Sequence, residues 1–248
     1  MSVIPESEYS IITNQDQRSV IRRRTAELVE QVVGNETDTV VFLDKTARPL
    51  VTAFIHQWQS CHPDLPLPQI RFLRIGREKA TAIHQWMQDN FPNQNKPDIE
   101  DILSRENLEK IFGQENIQFI EHALGKARSV LVVDDFRCSG KTARIATTTL
   151  SSLFPGLIVD TFFVISSQED KKPFYGDFGA RFLPWDTMPW NDKSISGVED
   201  PLLENGGKDQ NSFTSSPLSK KPGNDSFIAN FRQLRRELRS AVNEGVLS

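Results

Sequence analysis

The sequence is poor in the residues that build disulfide scaffolds and metal clusters. Its 248 residues include two cysteines, Cys61 and Cys138, and four histidines. The cysteines lie far apart without a CxxC pattern, and the histidines show no metal-ligand spacing. We therefore expect a reduced, cytoplasmic protein without a disulfide or a zinc site.

Two further deficits exclude other classes of protein. No apolar run approaches the ~20 residues that span a bilayer, and the opening stretch MSVIPESEYS has no basic region followed by an apolar one. The net charge of −4 provides no overall attraction for nucleic acid, so a polyanion site would need a local cluster of cations. Neither a membrane nor nucleic acid is expected as a partner.

What the sequence does contain is an alternation of strand-like and helix-like segments. Short apolar runs rich in β-branched residues predict strands, and helical periodicity between them predicts helices. The predicted strands are residues 39–44, 69–75, 129–135 and 157–166, and the predicted helices are residues 16–33, 50–59, 78–91 and 142–154. This order predicts an α/β fold, a parallel twisted sheet with helices on both faces and ligands at the carboxyl ends of its strands.

Two segments depart from the alternation. Residues 98–127 predict one or two further helices, broken near Gly113, as a helical insertion before the third strand. Residues 167–190 mix turn residues with aromatic ones, which indicates a small loop-rich hood with one short strand at 180–183. The α/β domain would then occupy residues 1–190.

The rest of the chain has a different character. Residues 191–225 are rich in Gly, Ser, Asn, Asp, Lys and Pro, which is typical of a flexible linker. Residues 226–245 predict an amphipathic helix with an apolar stripe, which suits either a docking helix or an anion-binding or partner helix. Four arginines lie off the stripe: Arg232, Arg235, Arg236 and Arg239.

The stretch VLVVDDFRCSGKT, Val130 to Thr142, ends like a nucleotide-triphosphate loop. Such a loop needs glycine, four residues and then Gly-Lys-Ser/Thr, but counting back five from Gly140 reaches Asp135. The two carboxylates of the stretch would also repel a triphosphate, and Asp160, the candidate for a second ATPase element, lies inside a predicted strand. A P-loop ATPase or kinase is therefore the weakest interpretation.

The same residues suit a ligand with ribose hydroxyls at one end and a monophosphate at the other. Asp134 and Asp135 can accept hydrogen bonds from two vicinal hydroxyls and hold Mg²⁺, directly or through water. Ser139 to Thr142 enter a predicted helix N-terminus, where free N–H groups and hydroxyls can surround a phosphate. The spacing predicts a ribose-phosphate site with Mg²⁺ as its cofactor.

This stretch resembles the signature of type I phosphoribosyltransferases that binds phosphoribosyl pyrophosphate (PRPP): four apolar residues and an acidic pair before a short loop with glycine and hydroxyl residues. The Gly-Lys-Thr ending looks like the purine-salvage branch. The resemblance implies that family's fold and a Mg²⁺-dependent transfer of phosphoribosyl to or from a nitrogenous acceptor, with pyrophosphate as leaving group. It implies that Asp134 and Asp135 bind the ribose. It assigns the 5′-phosphate to Arg137, Cys138, Ser139, Gly140, Lys141 and Thr142.

The resemblance extends upstream. VVFLDKTARP is similar to the family's first strand and pyrophosphate loop, and cations there would stabilise the charge that develops on the leaving group. The implied pyrophosphate contacts are Lys45, Thr46, Ala47 and Arg48. Arg77 and Lys79 follow the second predicted strand, where the family has a mobile loop that closes over PRPP.

Three positions depart from the family pattern. Phe136 and Arg137 stand where aliphatic residues are usual, and Cys138 stands where Asp or Thr is frequent. These departures leave open a second interpretation, a non-catalytic regulatory protein that binds PRPP or a nucleotide. The sequence indicates neither the acceptor nor the oligomeric state, and a homodimer is one arrangement that it allows.

Overall fold

The structure is a computed structural model that describes residues 4–43, 47, 49–73, 77–92, 99–137, 140–166 and 225–244. The predicted hood, its short strand and the predicted linker up to residue 224 lie outside these ranges. None of the described helices is both long enough and apolar enough to cross a bilayer.

Strands and helices alternate in the predicted order. The strands are β1 (Thr39–Leu43), β2 (Gln69–Leu73), β3 (Ser129–Arg137) and β4 (Ile158–Ser166). The helices are α1 (Gln15–Gly34), α2 (Leu50–Cys61), α3 (Arg77–Asn90), α4 (Ile99–Ile102), α5 (Arg105–Phe112), α6 (Gln114–Leu124), α7 (Lys141–Leu153) and α8 (Asp225–Asn243). A short 3-10 helix, Glu6–Glu8, precedes α1.

The four strands form one all-parallel sheet in the order β2-β1-β3-β4. From β1 the chain runs through α2 to β2, which adds to the sheet in one direction. From β3 it runs through α7 to β4, which adds to the sheet in the opposite direction. The strand order therefore reverses between β1 and β3. At such a switch point the connections diverge and open a crevice outside the carboxyl ends of the two strands, which is where open α/β sheets bind ligands.

Helices cover both faces of the sheet, which confirms the predicted α/β architecture. Alternate residues of β3 enter two separate apolar clusters, as the period of a strand requires. Leu131 and Val133 pack in the cluster that includes residues of α1, α2 and α8, whereas Val130 and Val132 pack with residues of α3, α5, α6 and α7. Burial on both faces explains why β1 and β3 have continuous apolar runs instead of alternating ones.

The insertion before β3 contains three helices, α4 to α6, whereas the sequence predicted one or two. The additional break lies before α5, where the Ser104 hydroxyl accepts a hydrogen bond from the Asn107 backbone N–H at 3.3 Å and caps the new helix. The predicted break at Gly113 is present, and that residue has a φ of 86°, a value that favours glycine.

The terminal helix α8 packs on α1 and α2 through the apolar residues Leu234, Leu238 and Val242. Its Glu237 is fully buried, and the carboxylate accepts hydrogen bonds from three consecutive backbone N–H groups. The donors are those of Ser10 at 2.8 Å, Ile11 at 3.1 Å and Ile12 at 2.6 Å. A buried carboxylate is tolerated when it is hydrogen-bonded in this way, so Glu237 joins the terminal helix to the amino-terminal segment.

Candidate functional site

The acidic pair lies at the switch point of the sheet. Val133 is the last residue of β3 that pairs with β1, and its partner there is Phe42. Asp134 and Asp135 follow directly, where β1 ends and the crevice begins. The predicted strand stopped at Asp135, but β3 continues to Arg137 because β4 extends beside it. The ladder between β3 and β4 pairs Asp134 with Phe163 and Arg137 with Ser166.

The two carboxyl groups are buried together. Asp134 is 9% exposed and Asp135 is 4% exposed. The backbone N–H of Asp135 donates a hydrogen bond to Oδ1 of Asp134 at 3.0 Å. Burial raises the pKa of Asp134 well above its ordinary value, and the negative charge and side-chain hydrogen bond of Asp135 raise it further, although the backbone hydrogen bond opposes the shift. Burial beside a second carboxyl group therefore disfavours the charged form of Asp134.

The chemistry of this pair fits a magnesium ion. Mg²⁺ prefers oxygen ligands and is usually bound by one or two carboxylates, with substrate phosphates and water completing its shell. Two adjacent buried carboxyl groups supply the ligands that the protein would have to contribute. Over the described part of the chain, no cluster of three or more His, Cys, Asp or Glu side chains could hold a metal ion.

A helix N-terminus follows the acidic pair closely. Gly140 has φ 68° and ψ 6°, a left-handed conformation that favours glycine, and α7 begins at the next residue. Arg144 N–H donates to the Gly140 carbonyl at 2.9 Å and closes the first turn. The first N–H groups of a helix lack partners within it, and Gly140 has no side chain to cap them. Thr142 is half-buried in this first turn.

The other residues assigned to the 5′-phosphate are only partly described. Arg137 is the last residue of β3, not part of the loop, and its side chain lies outside the described residues. Cys138 and Ser139 are likewise outside the described residues, as is the side chain of Lys141, the first residue of α7.

The spacing of these elements disfavours the P-loop interpretation. Only residues 138–140 separate β3 from α7, whereas a triphosphate loop needs a longer backbone segment to wrap its ligand. Asp160 lies inside β4, opposite Leu131, and its carboxylate accepts hydrogen bonds from the side chains of Gln31 at 2.8 Å and Asn35 at 3.2 Å. That carboxylate binds the end of α1 and is far along the strand from the crevice.

The segment proposed for pyrophosphate follows β1 in the sequence. Because β1 and β3 are adjacent parallel strands, their carboxyl ends lie at the same end of the sheet. Ala47 is fully buried in the apolar cluster on the α1 and α2 face, and its carbonyl accepts the Leu50 N–H at 3.1 Å. Its side chain is therefore a core contact, and any ligand contact would use its backbone. Lys45, Thr46 and Arg48 lie outside the described residues.

The two cations proposed for a mobile loop belong to a helix. Arg77 and Lys79 lie in the first turn of α3, which begins four residues after the end of β2, and their side chains lie outside the described residues. Because β1 lies between β2 and β3, the end of β2 is one strand further from Asp134 than the end of β1.

Sequence reasoning missed one polar cluster, at the other end of the chain. His56 on α2 lies 3.0 Å from Asn243 on α8, measured from Nε2 to Oδ1, and both line a cavity with the four arginines of α8. The arginines were visible in the sequence, but nothing local connected them with His56, which is 187 residues away from Asn243.

Comparison of the chain with models of known protein families, with curated proteins and with solved structures found no match in any of the three.

Proposed function

We propose that this protein is a Mg²⁺-dependent phosphoribosyltransferase that binds PRPP and transfers phosphoribosyl to or from a nitrogenous acceptor, with pyrophosphate as the leaving group. The observation that carries the proposal is the buried pair Asp134 and Asp135 at the switch point of a parallel sheet. Gly140 and the start of α7 follow within the next six residues, so acids and helix N–H groups are close in the chain.

Each part of PRPP has a chemical counterpart in this arrangement. The carboxylate of Asp135 accepts hydrogen bonds from ribose hydroxyls, and the N–H groups in the first turn of α7 donate hydrogen bonds to the 5′-phosphate. Ser139 and Thr142 add hydroxyl donors, and Lys141 adds a positive charge. Lys45 and Arg48 follow β1 in the sequence, and their charges would balance the leaving pyrophosphate.

Asp134 and Asp135 are the residues that would hold the magnesium ion. When bound, Mg²⁺ neutralises charge on the phosphates and favours departure of pyrophosphate. The protein residues would contribute by positioning the ribose between its hydroxyl and phosphate contacts, so that the acceptor meets the anomeric carbon in a fixed orientation.

A second candidate, a non-catalytic protein that binds PRPP or a nucleotide, is favoured by Cys138. That residue stands where the family often has an aspartate or threonine, and an aspartate there would assist proton transfer at the acceptor. The binding part of the site would be the same in both cases, so the two candidates differ in turnover and not in PRPP affinity.

Calorimetric titration with PRPP, in the presence and absence of Mg²⁺, tests the shared binding site. We expect the unmodified chain to bind PRPP only with Mg²⁺, and Asp135→Asn to lose this binding because the charged carboxylate is removed. Asp160→Asn is the matched control, since it makes the same change in the adjacent strand at an exposed site away from the crevice. Unchanged PRPP binding by Asp135→Asn would contradict the proposal.

Pyrophosphate release then separates the enzyme from the binding protein. The chain is incubated with PRPP, Mg²⁺ and a panel of purine, pyrimidine and other nitrogenous acceptors, and pyrophosphate is measured. Release with any acceptor, lost in Asp135→Asn, supports the transferase. PRPP binding without release across the panel favours the regulatory protein.

A further inference from the structure

A second polar site lies on the outer layer of the molecule. A cavity of about 830 Å³ opens between α8, the amino-terminal segment and α2. Its lining includes Arg232, Arg235, Arg236 and Arg239 of α8, with Glu8 and His56 opposite them. We call it the arginine cavity. The lining residues that the structure describes include neither the acidic pair nor any residue of α7.

The cavity carries a strong excess of positive charge. Among the described lining residues, four arginines face one acid, Glu8, which forms an ion pair with Arg236. Among the residues that the structure describes, Arg232, Arg235 and Arg239 have no acidic partner within ion-pair distance. In a chain with a net charge of −4, such a concentration of uncompensated cations in one concave site attracts anions selectively.

The walls of the cavity are held in place by hydrogen bonds that are buried or partly buried. The Ser240 hydroxyl accepts the Ile4 N–H at 2.8 Å, and the buried Glu237 carboxylate binds the backbone of residues 10–12. His56 and Asn243 join α2 to α8 at the far end. These contacts fix the amino-terminal wall relative to the helix that carries the arginines, so the backbone of the site is preformed.

We propose that the arginine cavity binds a small molecule that carries a chain of three or more phosphate groups. Arginine forks match phosphate oxygens in geometry and charge, and the volume lies in the range of small-molecule sites, about 300–1,000 Å³. Arg232 and Arg239 are seven residues apart, about 10 Å along the helix axis, which exceeds the reach of a single phosphate. His56 provides the only aromatic ring among the described lining residues, so the row of stacking platforms that single-stranded nucleic acids require is not present there.

Calorimetry with inorganic triphosphate, at low salt and without Mg²⁺, tests the site separately from the proposed PRPP site. The test variant is the double substitution Arg235→Gln and Arg239→Gln. We expect its Kd to be about tenfold or more higher than that of the unmodified chain, because charge-assisted hydrogen bonds are lost. The matched control, Lys126→Gln with Arg128→Gln, removes two exposed cations elsewhere and should change Kd by less than about twofold.

Three further arms separate the alternatives. Asp135→Asn should bind triphosphate normally, which keeps failure here distinguishable from failure of the transferase proposal. ATP binding that depends on the same arginines identifies a nucleotide as the source of the phosphates, whereas binding of triphosphate alone identifies free polyphosphate. Absence of triphosphate binding up to millimolar concentration, an equal loss in the control, or tighter binding of a single-stranded oligonucleotide overturns the proposal. The melting temperature of each variant verifies that it is folded.

Discussion

The backbone N–H of Asp135 donates to the side chain of Asp134 at 3.0 Å, so two adjacent acids of strand β3 are joined by a hydrogen bond at the point where β1 ends. This bond stabilises the charged form of Asp134, yet burial and the charge of Asp135 outweigh it and raise the pKa of Asp134. The balance of these effects makes the charge of the acidic pair depend on pH.

Replacing Asp134 with asparagine should stabilise the fold at neutral and alkaline pH. The pKa of Asp134 is higher in the folded protein than in the unfolded chain, so its contribution to stability is fully present below the unfolded pKa and is lost as pH rises through the folded pKa. Asparagine is not ionisable, so the variant does not lose stability in this way. In buffers with EDTA, we expect the melting temperature of Asp134→Asn to exceed that of the unmodified chain by about 2–4 °C at high pH, which corresponds to about 1 kcal/mol.

This difference should vanish near the unfolded pKa of an aspartate, since both proteins are then neutral at this position. Asp160→Asn makes the same substitution at an exposed carboxylate and is the control. If the melting temperatures of Asp134→Asn and the unmodified chain differ by the same amount at every pH, the raised pKa of Asp134 is contradicted.

Binding of Mg²⁺ with PRPP should strengthen as pH rises. The metal needs deprotonated carboxylates, and the raised pKa of Asp134 means that its proton must leave before both oxygens can coordinate. We expect affinity to increase by up to about tenfold per pH unit while that proton is retained by the free protein. Calorimetry in buffers with different ionisation enthalpies should detect proton release, and an affinity that is flat with pH would argue against metal coordination by Asp134.

Truncation of Glu237 should destabilise the protein. Its carboxylate accepts the N–H groups of Ser10, Ile11 and Ile12, and each buried donor left without a partner costs about 1–3 kcal/mol. We expect Glu237→Ala to lower the free energy of unfolding by at least about 2 kcal/mol in urea titrations. Glu8→Ala, which removes an exposed ion pair with Arg236, is the control and should cost less than about 1 kcal/mol.

Substitution of Gly140 should weaken both the fold and phosphate binding. Its φ of 68° is unfavourable for a residue with a Cβ atom, so Gly140→Ala should cost about 1 kcal/mol and move the first turn of α7. Gly34→Ala is the matched control: a Cβ there meets no atom within 4 Å, its φ is not positive, and alanine favours the helix. Denaturant titration and PRPP calorimetry measure the two effects. Equal stability of the two variants would show that Gly140 is not constrained.

Much of the fold could be predicted because the signals are local. The apolar run at Val130–Val133 indicates a buried strand, and the periodicity of α1 indicates a helix with one buried face. Both patterns can be recognised within a few residues. The end of β3 could not be predicted in this way. It depends on β4 continuing beside it as far as Ser166, and no pattern near Arg137 signals how far a neighbouring strand extends.

The sequence by itself determined the order of strands and helices, the adjacency of Asp134 and Asp135, and the glycine that precedes α7. Tertiary structure alone decided that β1 lies beside β3, that the pair is buried enough to raise the pKa of Asp134, and that His56 faces the arginines of α8. The physical reason is the distance along the chain over which each effect acts. Hydrophobic periodicity acts over a few residues, whereas burial, pKa shifts and cavities arise from groups that folding brings together from distant parts of the chain.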